Sequence, residues 1–306
     1  MLTRRATLSL LACSLALTGM SMPAAAQPPE KLKVVATFSI LGDLVRHVGG
    51  ERVEVTTLVG PNGDAHVYAP TPADGRRLTE ARIVFTNGLK FEGWIDRLIK
   101  SSGTRATKVE AAKGAKLIEG DDDHHGHDHD HGIDPHAWQD IGNARIYVAN
   151  IRDALIAADV GGKAAYESNA AAYLSKLDTL EAEVKGLVAN IPEARRRIIT
   201  SHDAFRYFGH AYGIAFVSPQ GVSTEAEASA KDVARIIQQI RREKIAAVFV
   251  ENVSDARLME RIAKETGARI GERVYSDALS EPDGPAGTYI DMMRHNIKAF
   301  SAALSS

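Results

Sequence analysis

Hydrophobic and polar positions follow two alternating patterns along most of the chain. Short runs rich in β-branched residues, such as 32–38 and 53–59, predict buried strands. The runs alternate with stretches whose composition and capping residues predict helices. Such alternation predicts a mostly parallel sheet with helices on both faces. It stops near residue 111 and restarts near residue 196, which indicates two α/β lobes.

One helical segment between the two sets of strands is unusually long. Residues 163–190 contain no proline and carry a single apolar stripe, and Pro192 ends the pattern. A helix of about 27 residues is about 40 Å long, enough to act as a rigid rod. We therefore expect an N-terminal lobe at 27–160, a connecting helix at 161–192 and a C-terminal lobe at 193–306.

The first 26 residues have the pattern of an export signal. Arg4 and Arg5 precede a short apolar run, and the alanines at 24–26 form a small-residue cleavage site. The apolar run is too short to span a bilayer as a stable helix, so a signal peptide at 1–26 and a periplasmic location are expected. Sec export is preferred to twin-arginine export. Cys13, in a partial lipobox, leaves lipidation open; otherwise the mature chain has no cysteine and a metal site must use His, Asp and Glu.

Composition narrows the class of protein. The apolar fraction of 44% and the charged fraction of 25% are typical of a folded soluble chain, and exclude a disordered or multi-span membrane protein. The net charge is −2, and no basic run follows the N-terminus, so no nucleic-acid partner is expected. The unusual feature is the presence of eleven histidines.

Five of the histidines lie in one segment, 121–132, that interrupts the N-terminal lobe. Five aspartates accompany them, so the segment cannot pack a core and is predicted to be a mobile loop. Imidazoles on such a loop bind Zn²⁺ weakly, because ordering the loop costs entropy. We expect it to capture metal for the main site or to sense excess; the alternative is a solvated linker. Its candidate ligands are His124, His125, His127, His129 and His131.

Four other residues are candidates for a compact metal site. His66, His202 and Asp277 each follow a predicted strand, and ligands bind at the carboxyl ends of strands in open α/β sheets. His136 opens a predicted helix. Three imidazoles and one carboxylate suit Zn²⁺. Their spacing carries no local signature, however, and on spacing alone ordinary polar loop residues are the preferred interpretation.

The flanking residues change this balance, because several motifs occur together in order along the chain. They are Gly63-Asp64-Ala65-His66-Val67-Tyr68, Asn87-Gly88, Glu92-Gly93-Trp94, Asp134-Pro135-His136-Ala137-Trp138, Ser201-His202-Asp203-Ala204-Phe205, residues 221–229, Val248-Phe249-Val250-Glu251 and Ser276-Asp277-Ala278-Leu279. With these motifs the chain resembles the cluster A-I metal-binding solute-binding proteins of ABC importers, which serve zinc and manganese uptake. The resemblance covers essentially all of the mature chain.

The resemblance implies two lobes joined by a long helix, with a metal site between them. The ligands that it implies are His66, His136, His202 and Asp277. Manganese-binding relatives usually have glutamate at the third position; His202 stands there in this chain, so Zn²⁺ is expected and Mn²⁺ is the alternative. Glu251 and Glu227 are candidates to orient a ligating imidazole. Asp203 is a candidate helix cap.

The function implied is capture of Zn²⁺ in the cleft and delivery to a membrane ABC permease with a cytoplasmic ATPase. A periplasmic zinc chaperone is a further expected partner, and a monomer without enzymatic activity is expected. The alternatives are a manganese-specific protein of the same family, a zinc hydrolase in which three histidines activate water, and an adhesin or zinc buffer without a transporter. We expect metal affinity to fall below about pH 6, because protonated imidazole cannot bind metal.

Overall fold

The structure is a computed structural model that describes residues 30–118 and 133–305. In these residues a first set of parallel strands and helices is followed by two long helices. The strands are β1 (Leu32–Phe38), β2 (Val53–Val59), β3 (Ile83–Thr86) and β4 (Thr107–Glu110). The helices are α1 (Ser39–Gly49), α2 (Pro72–Glu80), α3 (Ile95–Ser102), α4 (Ile141–Ala158) and α5 (Lys163–Ala189).

A second set of strands and helices completes the described chain. Its strands are β5 (Arg197–Ile199), β6 (Ala215–Val217), β7 (Ala247–Val248) and β8 (Arg269–Ile270). Its helices are α6 (Arg206–Tyr212), α7 (Ala230–Glu243), α8 (Ala256–Thr266) and α9 (Tyr289–Leu304). None of the helices in the described ranges is long and apolar enough to cross a bilayer.

The two sheets have the same topology. The strand order is β2-β1-β3-β4 in the first and β6-β5-β7-β8 in the second, and every pair is parallel. Parallel strands joined by helices place all their carboxyl ends at one edge of a sheet, where the loops meet. The predicted fold class, two α/β lobes joined by one long helix, is therefore confirmed.

The long helix α5 forms as its hydrophobic pattern predicts. One face buries residues at three- and four-residue steps, against α1, α4 and α9. The buried residues are Tyr166, Ala170, Tyr173, Leu177, Leu180, Val184 and Val188. Ion pairs also fix the helix to its neighbours, since Arg145 of α4 lies 2.9 Å from Asp178 and Arg294 of α9 lies 2.7 Å from Glu183. The helix thus contacts elements from both halves of the chain.

The core is continuous between the two lobes. Phe38 of β1 belongs to the same buried cluster as Phe205, Phe249 and Phe300 from the second half of the chain. A smaller cluster, which includes Ile236 of α7, lies separately in the second lobe with α8. The lobes are therefore packed against one another and are not joined by the long helix alone.

One predicted strand is much shorter than expected. The sequence predicts strand over 268–275, but β8 is two residues long, and Val274 returns only as an isolated bridge to Glu251. At Gly271 the backbone lies against the ring of Phe249, where a Cβ would be 2.4 Å from a ring carbon. The missing side chain lets the backbone pass this ring.

Some of the predicted boundaries are not tested by the fold. The export signal at 1–26 and the histidine loop at 121–132 lie outside the described residues. The lobe limits at 27–160, 161–192 and 193–306 stay predictions.

Candidate metal centre

The four predicted ligands lie together. His66 is in the loop after β2, His136 precedes α4, His202 follows β5, and Asp277 lies in the segment between β8 and α9. One donor atom from each residue lies within 4.8 Å of the other three. All four residues are buried, and only His66, at 7%, keeps more than a trace of exposure. The fold thus brings together side chains that are up to 211 positions apart.

The carboxylate of Asp277 is at the centre of the cluster. Its Oδ2 lies 3.1 Å from His202 Nε2 and 3.3 Å from His66 Nε2, and its Oδ1 lies 3.5 Å from His136 Nε2. The Nε2 atoms of His66 and His136 are 3.4 Å apart. Each imidazole therefore presents the same nitrogen to one point. Three nitrogens and one carboxylate around a point form the kind of donor set that a divalent transition metal takes.

A buried polar atom without a partner supports the fit of a cation. Among the described residues, Asp277 Oδ1 accepts no hydrogen bond. A fully buried carboxylate oxygen without a hydrogen bond is costly unless a positive charge lies next to it. A metal ion bound by the three Nε2 atoms and this carboxylate would supply that charge in place of protonated imidazoles, of which His136 is 3.5 Å away.

Two of the imidazoles each have a further carboxylate at the nitrogen that faces away from the cluster centre. Asp134 Oδ1 lies 2.8 Å from His136 Nδ1, and Glu251 Oε2 lies 2.5 Å from His202 Nδ1. Each also accepts the backbone N–H of the same histidine, at 2.9 Å in both cases. A carboxylate at Nδ1 favours the tautomer with its proton there, which leaves the Nε2 lone pair free for a metal. These carboxylates orient the rings.

The charges in the cluster shift its titration. Burial lowers the pKa of His136, but the charge of Asp277 and the contact with Asp134 outweigh it and raise the pKa to about 9. Burial likewise opposes the charges of Glu251 and Asp277 at His202, and the pKa of His202 is raised well above its ordinary value. Burial would raise the pKa of Asp277, yet the two imidazoles hold it well below its usual range. The metal-free cluster therefore holds protons that a metal must displace.

Two aromatic rings pack against the ligands. The ring of Phe91 lies 4.6 Å from that of His66, and the ring of Trp138 lies 5.2 Å from that of His136, measured between centroids. Both aromatic residues are buried. Packing of this kind restricts the imidazole rotamers and lowers the local dielectric. Neither residue was singled out as functional from the sequence.

Polar contacts hold the loop that carries His136. Asn87, after β3, donates from Nδ2 to the carbonyl of Pro135 at 2.9 Å, and its own N–H donates to Glu92 at 2.7 Å. Burial raises the pKa of Glu92, although its hydrogen bonds oppose this shift. The loop before α4 is thereby fixed from the first sheet.

Sequence reasoning on the residues around the ligands is partly wrong. Glu251 contacts His202, but Glu227 is exposed and lies outside the cluster. Asp203 does not cap a helix, because α6 begins at Arg206 and Phe205 takes the N-cap position. Burial and the charge of Asp134 instead raise the pKa of Asp203 to about 6. The histidines at 124–131 lie outside the described residues.

Asp134 was not predicted from the sequence to orient His136, although a local signal for this role exists. It stands two residues before His136, as Asp64 stands two residues before His66. In both places the aspartate Oδ1 accepts the backbone N–H of the histidine, at 2.9 Å. Such a turn is the local hydrogen bonding that aspartate favours in loops. The repeated Asp-x-His spacing therefore indicates two loops built in the same way.

One contact spans from the first lobe to the loop at 221–229. The hydroxyl of Thr224 donates to Asp64 Oδ2 at 2.6 Å. Asp64 uses its other oxygen to accept the N–H of His66. A loop of the second lobe is thus connected through one carboxylate to a ligand loop of the first.

The two lobes, the long helix and the buried His₃Asp cluster define a metal-binding solute-binding protein. The family described as "Zinc-uptake complex component A periplasmic" matches residues 34–303. The chain belongs to this family, the metal-binding periplasmic substrate-binding proteins of ABC transporters. The predicted family resemblance is confirmed.

Individual relatives cover nearly the whole chain. The manganese-binding lipoprotein MntA of Halalkalibacterium halodurans is 36% identical over 277 residues, which cover 90% of this chain and 89% of MntA. The manganese ABC transporter substrate-binding lipoprotein PsaA of Streptococcus pneumoniae is 32% identical, with coverage of 97% and 94%. The periplasmic zinc binding protein TroA of Treponema pallidum is similar in structure, with a TM-score of 0.83, 29% identity, and coverage of 90% of this chain and 100% of TroA.

Proposed function

We propose that this protein captures a divalent transition-metal ion in the cluster of His66, His136, His202 and Asp277 and delivers it to an ABC permease. One observation carries the proposal: four buried donor atoms, from loops far apart in sequence, lie within 4.8 Å of one another. The carboxylates behind His136 and His202 add the outer partners that metal-ligating histidines usually have. Membership of a family of ABC importer components supports the delivery step.

Manganese and zinc are the two candidate ions, and different observations support each. Two of the relatives described above are named for manganese, which supports manganese as the cargo better than zinc. The TroA structure is described as zinc-binding. The donor set favours zinc in affinity, because three imidazoles suit Zn²⁺ and divalent ions bind such sites in an order that places Mn²⁺ lowest. The sequence-based preference for zinc therefore stays a prediction about affinity, and manganese is the better supported cargo.

A metal-content measurement with competition tests both proposals. The protein lacking 121–132 is purified, and its metal content is measured after equilibration with each ion and a competing chelator. One ion per chain is expected for the parent, and loss of that ion for His136→Ala. A matched variant, His210→Ala on the exposed face of α6, should keep it. No stoichiometric metal in the parent would overturn the function. Tight Mn²⁺ binding that excludes Zn²⁺ would overturn the preference for zinc in affinity.

The location and the partners are proposed from the family. We propose a periplasmic protein, exported by the signal at 1–26, whose partners are a membrane permease and its ATPase. MntA and PsaA are named lipoproteins, so attachment through Cys13 is the alternative. A periplasmic zinc chaperone as partner and a monomeric state remain predictions. Co-purification of the permease with tagged protein, lost when the permease gene is deleted, would test the delivery step.

The absence of catalysis is also proposed. PsaA is named a substrate-binding lipoprotein of an ABC transporter, and with Asp277 as the fourth ligand no position would remain for the metal-bound water of a hydrolase. An Asp277→Ala variant opens that position. If this variant stays folded and hydrolyses an ester faster than the parent, the hydrolase alternative gains support; equal background rates are expected.

A further inference from the structure

The segment that carries Asp277 belongs to the second lobe by sequence but is bonded to the first. We define the Asp277 segment as residues 276–279. The amide Nε2 of Gln139 donates to the Ser276 carbonyl at 2.8 Å, and the indole N–H of Trp138 donates to the same oxygen at 3.1 Å. Both donors lie just before α4 in the first half of the chain. Two donors satisfy both lone pairs of that carbonyl.

The other end of the segment is bonded to the first lobe as well. The Leu279 N–H donates to the hydroxyl of Ser39 at 2.9 Å, and the Leu279 carbonyl accepts the N–H of Asn62 at 2.9 Å. From the second lobe, Asn252 donates to the Ala278 carbonyl at 3.1 Å. Four of these five bonds therefore join the Asp277 segment to the first lobe: to the start of α1, to the loop after β2 and to the turn before α4.

The buried amide of Gln139 destabilises the fold. Gln139 is fully buried, and its Oε1 has no hydrogen-bond partner among the described residues. A buried amide oxygen without a partner costs free energy, and an apolar side chain of the same length would avoid that cost. The amide of Gln139 therefore contributes through its N–H donor. This donor bonds the carbonyl of Ser276, the residue directly before the candidate ligand Asp277.

We propose that Gln139 is a positioning residue for Asp277, and that the first lobe thereby carries three of the four ligands. His66 and His136 are in its loops, and Gln139 holds Asp277 beside them. His202, attached to β5 and contacted by Glu251, is the ligand that belongs to the second lobe alone. This inference rests on the proposed function, because it specifies how the same site is held.

The variant Gln139→Met tests the proposal, because methionine keeps the length of the side chain and removes the donor. We expect the Zn²⁺ dissociation constant to rise by about 10- to 100-fold, the usual effect of losing an outer partner. We also expect the visible absorption bands of bound Co²⁺ to shift, because Asp277 is misplaced. The control is Thr104→Val, which removes a hydroxyl that donates to the Leu78 carbonyl at the opposite edge of the first sheet. It should leave both measurements unchanged.

A double-mutant cycle shows whether Gln139 acts through Asp277. In an Asp277→Ala background, where three imidazoles remain, Gln139→Met should have no further effect on affinity. An equal effect in both backgrounds would overturn the proposal, and so would parental affinity and Co²⁺ spectrum in the single variant. If Gln139→Met does not fold, Gln139→Leu removes the same donor with a shorter apolar side chain and must show the same dependence on Asp277. A parent without stoichiometric metal would instead refute the proposed function.

Discussion

The two sheets share a strand order but differ greatly in size. The first is built from strands of seven, seven, four and four residues, and the second from strands of three, three, two and two. The lobe with the larger sheet carries two of the candidate ligand loops and four of the five bonds to the Asp277 segment, whereas the smaller sheet supports His202. The difference teaches that a symmetric topology can hold an asymmetric site. On the inference above, the first lobe is a platform that holds three of the four candidate ligands, and the second lobe adds His202.

The largest expected effect comes from removing a ligand on either side of this comparison. His136→Ala and His202→Ala should each weaken metal binding by more than the roughly 10- to 100-fold typical of a lost outer partner. If the first lobe is the platform, His202→Ala should retain weak one-to-one binding to the remaining three ligands, while His136→Ala should retain less. Calorimetric titration measures both. Weaker residual binding in His202→Ala would reverse the comparison.

The carboxylates behind the histidines give the next effect. Asp134→Asn in the first lobe and Glu251→Gln in the second keep the shape but remove the charge at Nδ1. Each should weaken binding about 10- to 100-fold, because the imidazole is less basic and less firmly oriented. Competition with a chelator measures the change. Glu227→Gln, at an exposed carboxylate, is the control and should match the parent.

Metal affinity should keep rising with pH to higher values than the pKa of an ordinary imidazole would allow. The pKa of His136 is about 9 in the metal-free fold, so metal binding below that pH releases a proton and strengthens as pH rises. Affinity should rise about tenfold per pH unit for each proton displaced, between about pH 6 and pH 9. Proton release is measured by calorimetry in buffers of different ionisation enthalpy. If affinity stops rising above about pH 6.5, the ordinary pKa of histidine, the cluster does not hold the proton.

The same pKa shifts determine how the stability of the metal-free fold changes with pH. A raised pKa at His136 means stability that is present below 6.5 and lost as pH rises through about 9. The lowered pKa of Asp277 means stability that is present above 3.8 and lost in acid. Thermal melts without metal should therefore be highest in mildly acidic solution. His47→Gln, at a histidine whose pKa is raised mainly by its hydrogen bond to Asp43, is the control and should keep the metal-linked proton release.

The smallest effect is expected at the contact between the lobes. Thr224→Val removes the hydroxyl that donates to Asp64, a bond worth about 0.5–1.5 kcal/mol. Metal should dissociate about three- to tenfold faster, because the bond stabilises the arrangement in which His202 lies beside the platform. Stopped-flow chelator chase measures the rate. Thr224→Ser should restore it, and an unchanged rate in the valine variant would show that the contact has no part in holding the lobes.

Much of the architecture follows from local pattern. The β-branched run of β1 and β2 and the apolar stripe of α5 are strong signals, and the structure places these elements within a residue of their predicted ends. The second sheet is harder to predict, because strands of two or three residues carry too little periodicity. The predicted strand at 268–275 fails where Gly271 meets the ring of Phe249, a contact that no local pattern contains.

The site shows the same division between local and long-range information. The spacing of His66, His136 and His202 carries no signature, and only the surrounding motifs single them out. Asp134 has a local signal in its Asp-x-His turn. Gln139 has none, because its role depends on a carbonyl 137 positions away that the fold brings to it. Partners across such distances become visible only once the chain is folded.

The continuous core between the lobes affects how long a bound metal ion would stay in the site. Separating the lobes would uncover part of the apolar surface that the continuous core buries, at about 25 cal/mol for each Å². Each 100 Å² uncovered therefore costs about 2.5 kcal/mol and reduces the spontaneously open population by roughly 70-fold. Chance opening is then rare, and competing chelators in the surroundings gain little access to the ion. On the proposed function, the permease would have to promote opening, so the timing of release would be set at the membrane rather than by the binding protein.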